Sequence, residues 1–167
     1  VQPGGGVFVT ELDIHPFLRI IAPLLLRHEH YELELLDLRR ILEVRGAQMA
    51  AEQITPERAA YISEPVLMMD PALATSNPEN DLKNDILFHS RIVESSGSLA
   101  LMHASGIVSA LMEVLVEGGR KRVLENRETA AELYAEHVEI CDAICRGNSA
   151  RAGELIDKHI RMVINLT

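Results

Sequence analysis

From Asp13 to the end of the chain, apolar residues recur at spacings of three and four and nowhere alternate. Such spacing stacks them on one face of a helix, whereas a half-buried strand needs a period of two. The sequence therefore predicts an all-α fold, an antiparallel bundle of about six to seven helices joined by short loops. Tryptophan is absent and aromatics make up only 4%, so the core must be built from Leu, Ile, Val, Ala and Met.

Start and stop signals divide the helical region. The first helix is expected over about 14–26, with Pro16 near its start and a bend at Pro23. The second spans about 32–52, with Leu35, Leu38, Leu42 and Met49 on one face. Thr55–Pro56–Glu57 opens a third with a hydroxyl cap and a proline in the first turn, and that helix ends near Asp70–Pro71. Ser76–Asn77–Pro78–Glu79 repeats the signal for a fourth helix over about 78–95. Ser98 caps a fifth over about 99–116, which is expected to stop at Gly118–Gly119. A sixth runs over about 128–146, and Asn148 caps a seventh that reaches about residue 165.

Residues 1–10 read differently, as strand, glycine turn and strand around Gly4–Gly5–Gly6. The incoming strand is barely two residues long, so the chain is expected to begin inside a structure whose earlier part is missing. The glycine run lacks the Gly-Lys-Ser/Thr of a phosphate loop and does not lead directly into a helix.

Several classes are excluded. No apolar run approaches the ~18–20 residues of a membrane span, and no basic segment followed by an apolar one opens the chain as a signal peptide. Two cysteines cannot make a disulfide scaffold, so a reduced, cytoplasmic setting is expected. Cys141 and Cys145, four apart, read as small core residues rather than a redox or zinc pair. A net charge of −9 argues against these residues gripping nucleic acid by themselves.

The chemistry lies in polar residues that interrupt apolar stripes. On the fourth helix Asp85 and His89, four apart, stand one above the other beside Leu82, Ile86, Ile92 and Val93. His137 fills a gap between Leu133 or Tyr134 and Cys141, and His159 a gap between Leu155 or Ile156 and Val163. Each histidine taken singly reads as a satisfied core residue. Burying all four polar groups without partners would cost roughly 1–3 kcal/mol apiece. A divalent metal ion removes that cost by taking imidazole nitrogens and a carboxylate oxygen as ligands. Three His and one Asp leave one or two positions open for water or a small carboxylate.

Other candidates are weaker. Arg39 and Glu43, four apart, read as an ion pair, or as an inward-facing arginine that grips the anionic end of a ligand as a planar fork. His103 reads as core, or as the lining of a ligand cavity. His28 and His30 read as solvated, and His15 as a loop residue. Asp81, one turn before Asp85, is the cheapest candidate for a general base.

Taken together, Leu38-Arg39-Arg40-Ile41-Leu42-Glu43 with Ala47 and Ala50-Ala51, Asp85-Ile86-Leu87-Phe88-His89, Glu136-His137 with Ala143-Ile144 and Gly147-Asn148, and Ala152 with His159 resemble the C-terminal effector-binding (FCD) domain of the FadR subfamily of GntR-type bacterial transcription regulators. Gly5-Gly6-Val7-Phe8-Val9 resembles the end of that family's wing. The resemblance implies that residues 1–10 are the remnant of an N-terminal winged helix-turn-helix and that 11–167 form a helical ligand-binding and dimerisation domain. It implies a metal held by Asp85, His89, His137 and His159, with zinc first among zinc, nickel, manganese and iron. It further implies a small organic acid effector in contact with Arg39, a homodimer, and operator DNA bound through the absent N-terminal domain. Ser98 stands where the family often has Asn, so any ligand contact made by that Asn is in doubt. The rival readings are a metal-dependent hydrolase and a metal sensor.

Overall fold

The computed structural model describes residues 15–25, 27–69, 78–125 and 127–166. Seven helices follow one another among these residues, with no strand: α1 His15–Leu25, α2 Tyr31–Glu52, α3 Pro56–Met68, α4 Pro78–Glu94, α5 Leu99–Glu125, α6 Arg127–Cys145 and α7 Ser149–Leu166. The strand-turn-strand reading of residues 1–10 lies outside the described residues. None of the described helices is long and apolar enough to cross a membrane.

Local signals account for most of the boundaries. The Thr55 hydroxyl accepts the backbone N–H of Arg58 at 3.3 Å, with Pro56 in the first turn. Ser98 accepts from the N–H of Leu101 at 3.3 Å, and Asn148 from that of Arg151 at 3.2 Å. At the end of α6, Gly147 takes φ +71°, the left-handed region that glycine enters without strain. Its N–H then reaches Ile144 O at 2.9 Å and the Asn148 N–H reaches Ala143 O at 3.0 Å, closing a Schellman motif. The next helix begins two residues later, so α6 and α7 are held as a tight pair.

Three expectations need correction. Helix α5 does not stop at Gly118–Gly119 but continues to Glu125. A glycine in a helix costs only about 1 kcal/mol against alanine, and the Arg-Lys-Arg-Val-Leu-Glu run that follows has no breaker. His15 is the first residue of α1 rather than part of a loop. The buried face of α2 is not the leucine stripe: Leu38 is exposed, and Leu42 and Met49 are half-buried. The interior side carries Leu35, Leu36, Arg39, Glu43, Gly46, Ala47, Ala50 and Ala51. Small residues face inward because α2 is the central helix. It packs chiefly against α7 and also against α5, α4 and α6.

Two apolar clusters hold the bundle. Leu18, Leu35, Leu36, Val108, Leu111 and Met112 join α1, α2 and α5. Ala47, Ala50, Ile62, Phe88, Ile92, Ile140, Ile144, Ile156 and Ile160 join α2, α3, α4, α6 and α7. Each fully buried Ile or Phe stabilises the fold by roughly 1.5–3 kcal/mol relative to exposure. The second cluster contains Phe88 next to His89 and Ile160 next to His159, so the same packing that closes the core aims these histidines inward.

Candidate metal centre

Asp85 and His89 come from α4, His137 from α6 and His159 from α7. One ligand atom from each lies within 4.8 Å of the others, and the three histidines are buried. His137 Nε2 is 3.2 Å from His159 Nε2 and 3.3 Å from Asp85 Oδ1. His89 Nε2 is 3.6 Å from Asp85 Oδ1. Two ligands on a tetrahedral zinc, at bond lengths near 2.05 Å, sit about 3.3 Å apart. Asp85 is 16% exposed, against 4% or less for the histidine side chains, so it marks the side of the cluster nearest solvent.

Hydrogen bonds set the direction of two of the rings. His89 Nδ1–H donates to Glu43 Oε2 at 2.6 Å, and His159 Nδ1–H donates to Glu136 Oε2 at 2.9 Å. An ionised carboxylate only accepts, so the proton of each neutral imidazole must sit on Nδ1. The Nε2 lone pairs of His89 and His159 therefore point into the cluster, as metal ligands require. His89 Nε2 is buried with no hydrogen-bond partner. That is an orphaned nitrogen aimed at the other three ligand atoms, and the residues fit a divalent cation.

The electrostatics differ among the rings. Burial pulls His89 down, yet the Glu43 carboxylate outweighs it and raises the ring above the ordinary imidazole range, so a cation must displace its Nε2 proton. Burial, reinforced by the nearby His159, holds His137 well below the ordinary imidazole range, and burial also lowers His159. Both rings are thus neutral near pH 7. Burial pushes Glu43 up, yet the Arg39 charge and His89 outweigh it and hold the carboxyl at about 2. Arg39 Nε donates to Glu43 Oε1 at 2.6 Å, and both side chains are buried. Glu136 is lowered first by its bond from His159, with Lys158 Nζ at 2.9 Å on its other oxygen.

The four residues expected to hold a metal are therefore brought together, and Arg39 lies close enough for its charge to act on Asp85. His103 is not brought to the cluster. It is exposed on α5, as is Ile107 one turn later, because that stretch of α5 turns its other side to the core through Val108, Leu111 and Met112. His28 and His30 are exposed, and Asp81 is buried but outside the cluster. Sequence reasoning missed what Glu43 and Glu136 do. For Glu43 a signal existed, since the Arg39–Glu43 spacing puts both on one helix face. For Glu136 there was none, since it adjoins His137 in sequence but bonds His159 on another helix.

Residues 34–162 match the FCD domain model. The chain belongs to the FCD domain family. It is similar over 98% of its length to the HTH-type transcriptional regulator LutR of Bacillus subtilis (strain 168), at 27% identity across 74% of that protein. It is 25% identical, over 96% of its length, to a protein of Escherichia coli (strain K12) named "Putative L-lactate dehydrogenase operon regulatory protein", of which it spans 62%, and equally to its Shigella flexneri counterpart. An FCD domain with such relatives is an effector-binding regulatory domain of FadR-like GntR regulators and not an enzyme, which removes the hydrolase reading. The chain spans under two thirds of the Escherichia coli and Shigella relatives.

Proposed function

We propose that this domain receives a small organic acid at a divalent metal held by Asp85, His89, His137 and His159, and that occupancy alters DNA binding by a winged-helix domain of the same regulator. The observation that carries this reading is the convergence of four donor atoms within 4.8 Å, two of them on rings turned by buried or half-buried carboxylates. The names of the Escherichia coli and Shigella relatives, with their reference to L-lactate, support a carboxylate effector.

A divalent ion bound here supplies a Lewis-acidic centre with open positions for water or a carboxylate oxygen; zinc, nickel, manganese and iron all suit such a mixed site, with zinc the first choice. The chain's own residues do the rest. His89, His137 and His159 present neutral nitrogens from three helices, so the site cross-links α4, α6 and α7. Asp85 supplies the anionic ligand and faces the route from solvent. Arg39 keeps its Nε on Glu43, and the terminal nitrogens of the same guanidinium carry the fork geometry that a carboxylate accepts bidentately. A homodimer would let two DNA-binding domains meet two half-sites. Shifting DNA affinity tenfold requires the acid to prefer one domain arrangement by about 1.4 kcal/mol.

A thermal-shift screen of C2 to C6 hydroxy-, keto- and dicarboxylic acids, with and without chelator, tests this. A binder raises the midpoint by mass action only while the metal is present. Equal shifts in both conditions would remove the metal from the effector site. A change in operator binding by the full-length regulator with metal alone, no acid being needed, would make the ion itself the signal.

A further inference from the structure

We propose that Glu43 is the positioning residue that makes His89 a metal ligand, and that a carboxylate is required there because Arg39 occupies one of its two oxygens. The inference rests on the metal reading above. Glu43 is almost fully buried, and both of its carboxylate oxygens are in use: Oε1 takes the Arg39 Nε–H at 2.6 Å and Oε2 takes the His89 Nδ1–H at 2.6 Å. On the far side of the imidazole, Nε2 is buried, has no hydrogen-bond partner and faces Asp85 Oδ1 at 3.6 Å. A histidine that binds a metal carries one N–H, and with the Glu43 acceptor at Nδ1 that proton stays there and leaves the lone pair at Nε2. Remove that acceptor and the proton is free to move to Nε2, where it faces the cluster and blocks coordination.

The arrangement has a consequence that simple packing lacks. A glutamine at this position has one acceptor oxygen and one NH2. With Arg39 present, the guanidinium captures the oxygen, because a charge-assisted bond outcompetes a neutral one. The NH2 is then left against His89 Nδ1, where it favours a lone pair at Nδ1 and a proton at Nε2. With Arg39 replaced by methionine, the glutamine oxygen is free to turn to His89 and restore the metal-binding tautomer. The second substitution therefore rescues the first. Glu136, which holds His159 and is shared with Lys158 at the surface, has no such buried competitor.

The test measures zinc affinity of the 167-residue chain by competition with a chromophoric chelator, beside the absorption spectrum of the cobalt(II)-loaded protein as a readout of ligand geometry. Glu43→Gln is expected to weaken zinc binding about 10- to 100-fold and to dim the cobalt bands. Arg39→Met with Glu43→Gln is expected to recover most of both. Because the single variant leaves a buried arginine without its anion, at a cost to folding, Arg39→Met with Glu43→Leu is compared with the rescued pair. Leucine cannot accept from His89, so it is expected to bind zinc at least tenfold more weakly. The inference is overturned if Glu43→Gln folds and binds zinc like wild type, if Arg39→Met with Glu43→Gln binds no better than Glu43→Gln, or if the glutamine and leucine pairs bind alike. A wild-type chain that takes up no zinc, nickel, manganese or iron(II) overturns the metal reading itself, and this inference with it.

Discussion

His137 and His159 face each other Nε2 to Nε2 at 3.2 Å, although they lie 22 residues apart on two different helices. His159 Nδ1 is committed to Glu136, so its Nε2 is an acceptor. His137 Nε2 can donate its proton to His159 or to Asp85 Oδ1 at 3.3 Å, or share a cation with both. Whichever holds, His137 Nδ1 stays buried with no partner. Such an atom costs about 1–3 kcal/mol.

Replacing His137 with leucine removes the unpaired nitrogen together with the metal ligand. In chelator, His137→Leu is expected to unfold at a higher urea midpoint than wild type, by about 1 kcal/mol. On adding zinc the order reverses, because only wild type gains from binding. Urea melts in both conditions check this; a variant less stable than wild type in chelator refutes it.

On the proposed reading Arg39 would grip the effector through its fork, while its charge acts on Glu43. Lysine supplies the charge without the fork. Arg39→Lys is expected to keep the helical fold and zinc uptake while lowering the affinity for whichever acid the screen identifies by about tenfold, or roughly 1.4 kcal/mol. Isothermal titration of the zinc-loaded proteins reads this directly. Unchanged acid affinity would take Arg39 out of the effector site.

Two glycines let α2 approach its neighbours, and they are not equivalent. A Cβ at Gly46 would lie 3.0 Å from Val93 Cγ2 and 3.4 Å from Val93 Cα, in the stiff part of α4 one turn beyond His89. A Cβ at Gly153 would meet the end of the Gln48 side chain at 2.7 Å, which can swing away. Gly46→Ala is expected to cost about 1–2 kcal/mol net of the helix-propensity gain, and to weaken zinc binding by moving α4 away from α2. Gly153→Ala is expected to fall within about 1 kcal/mol of neutral. Equal urea midpoints for the two variants would contradict this.

Burial pushes the Cys141 thiol from 9.0 up to about 11, against the pull of its contact with the Ser63 hydroxyl at 3.3 Å. In the unfolded chain the thiol ionises first, so the native state holds more protons above pH 9. Stability from this group is complete below pH 9 and is lost as pH rises toward 11. The urea midpoint of wild type is expected to fall more steeply across that window than that of Cys141→Ala. In the native protein at pH 8, iodoacetamide is expected to modify the half-buried Cys145 before Cys141. Parallel pH slopes would refute the first expectation, and prior modification of Cys141 the second.

The helix order and most helix boundaries were legible in the sequence because caps and glycine stops act over four or five residues. Thr55, Ser98, Asn148 and Gly147 each form the bond that their position predicts. The metal-binding candidates were legible for a similar reason, since a polar residue in a 3.6-period stripe shows in one dimension. The inner face of α2 was not legible. Leucines dominate a hydropathy count, yet the helix at the centre of a bundle needs small residues where its neighbours press closest. The Gly118–Gly119 stop was also misread, because glycine permits a helix end without requiring one.

By itself, then, the order of residues determined an all-α bundle from Asp13 onward and the placing of Asp85, His89, His137 and His159 on inward-facing stripes, because periodicity and capping are local properties. Only the packing of the helices decided that these stripes meet at one point, that His103 turns away from it, and that Glu43 and Glu136 reach across from other positions to hold the rings. Those relationships join residues as far apart in sequence as Asp85 and His159. No local rule reaches that far, and the distances between helices are set by the side chains that fit between them.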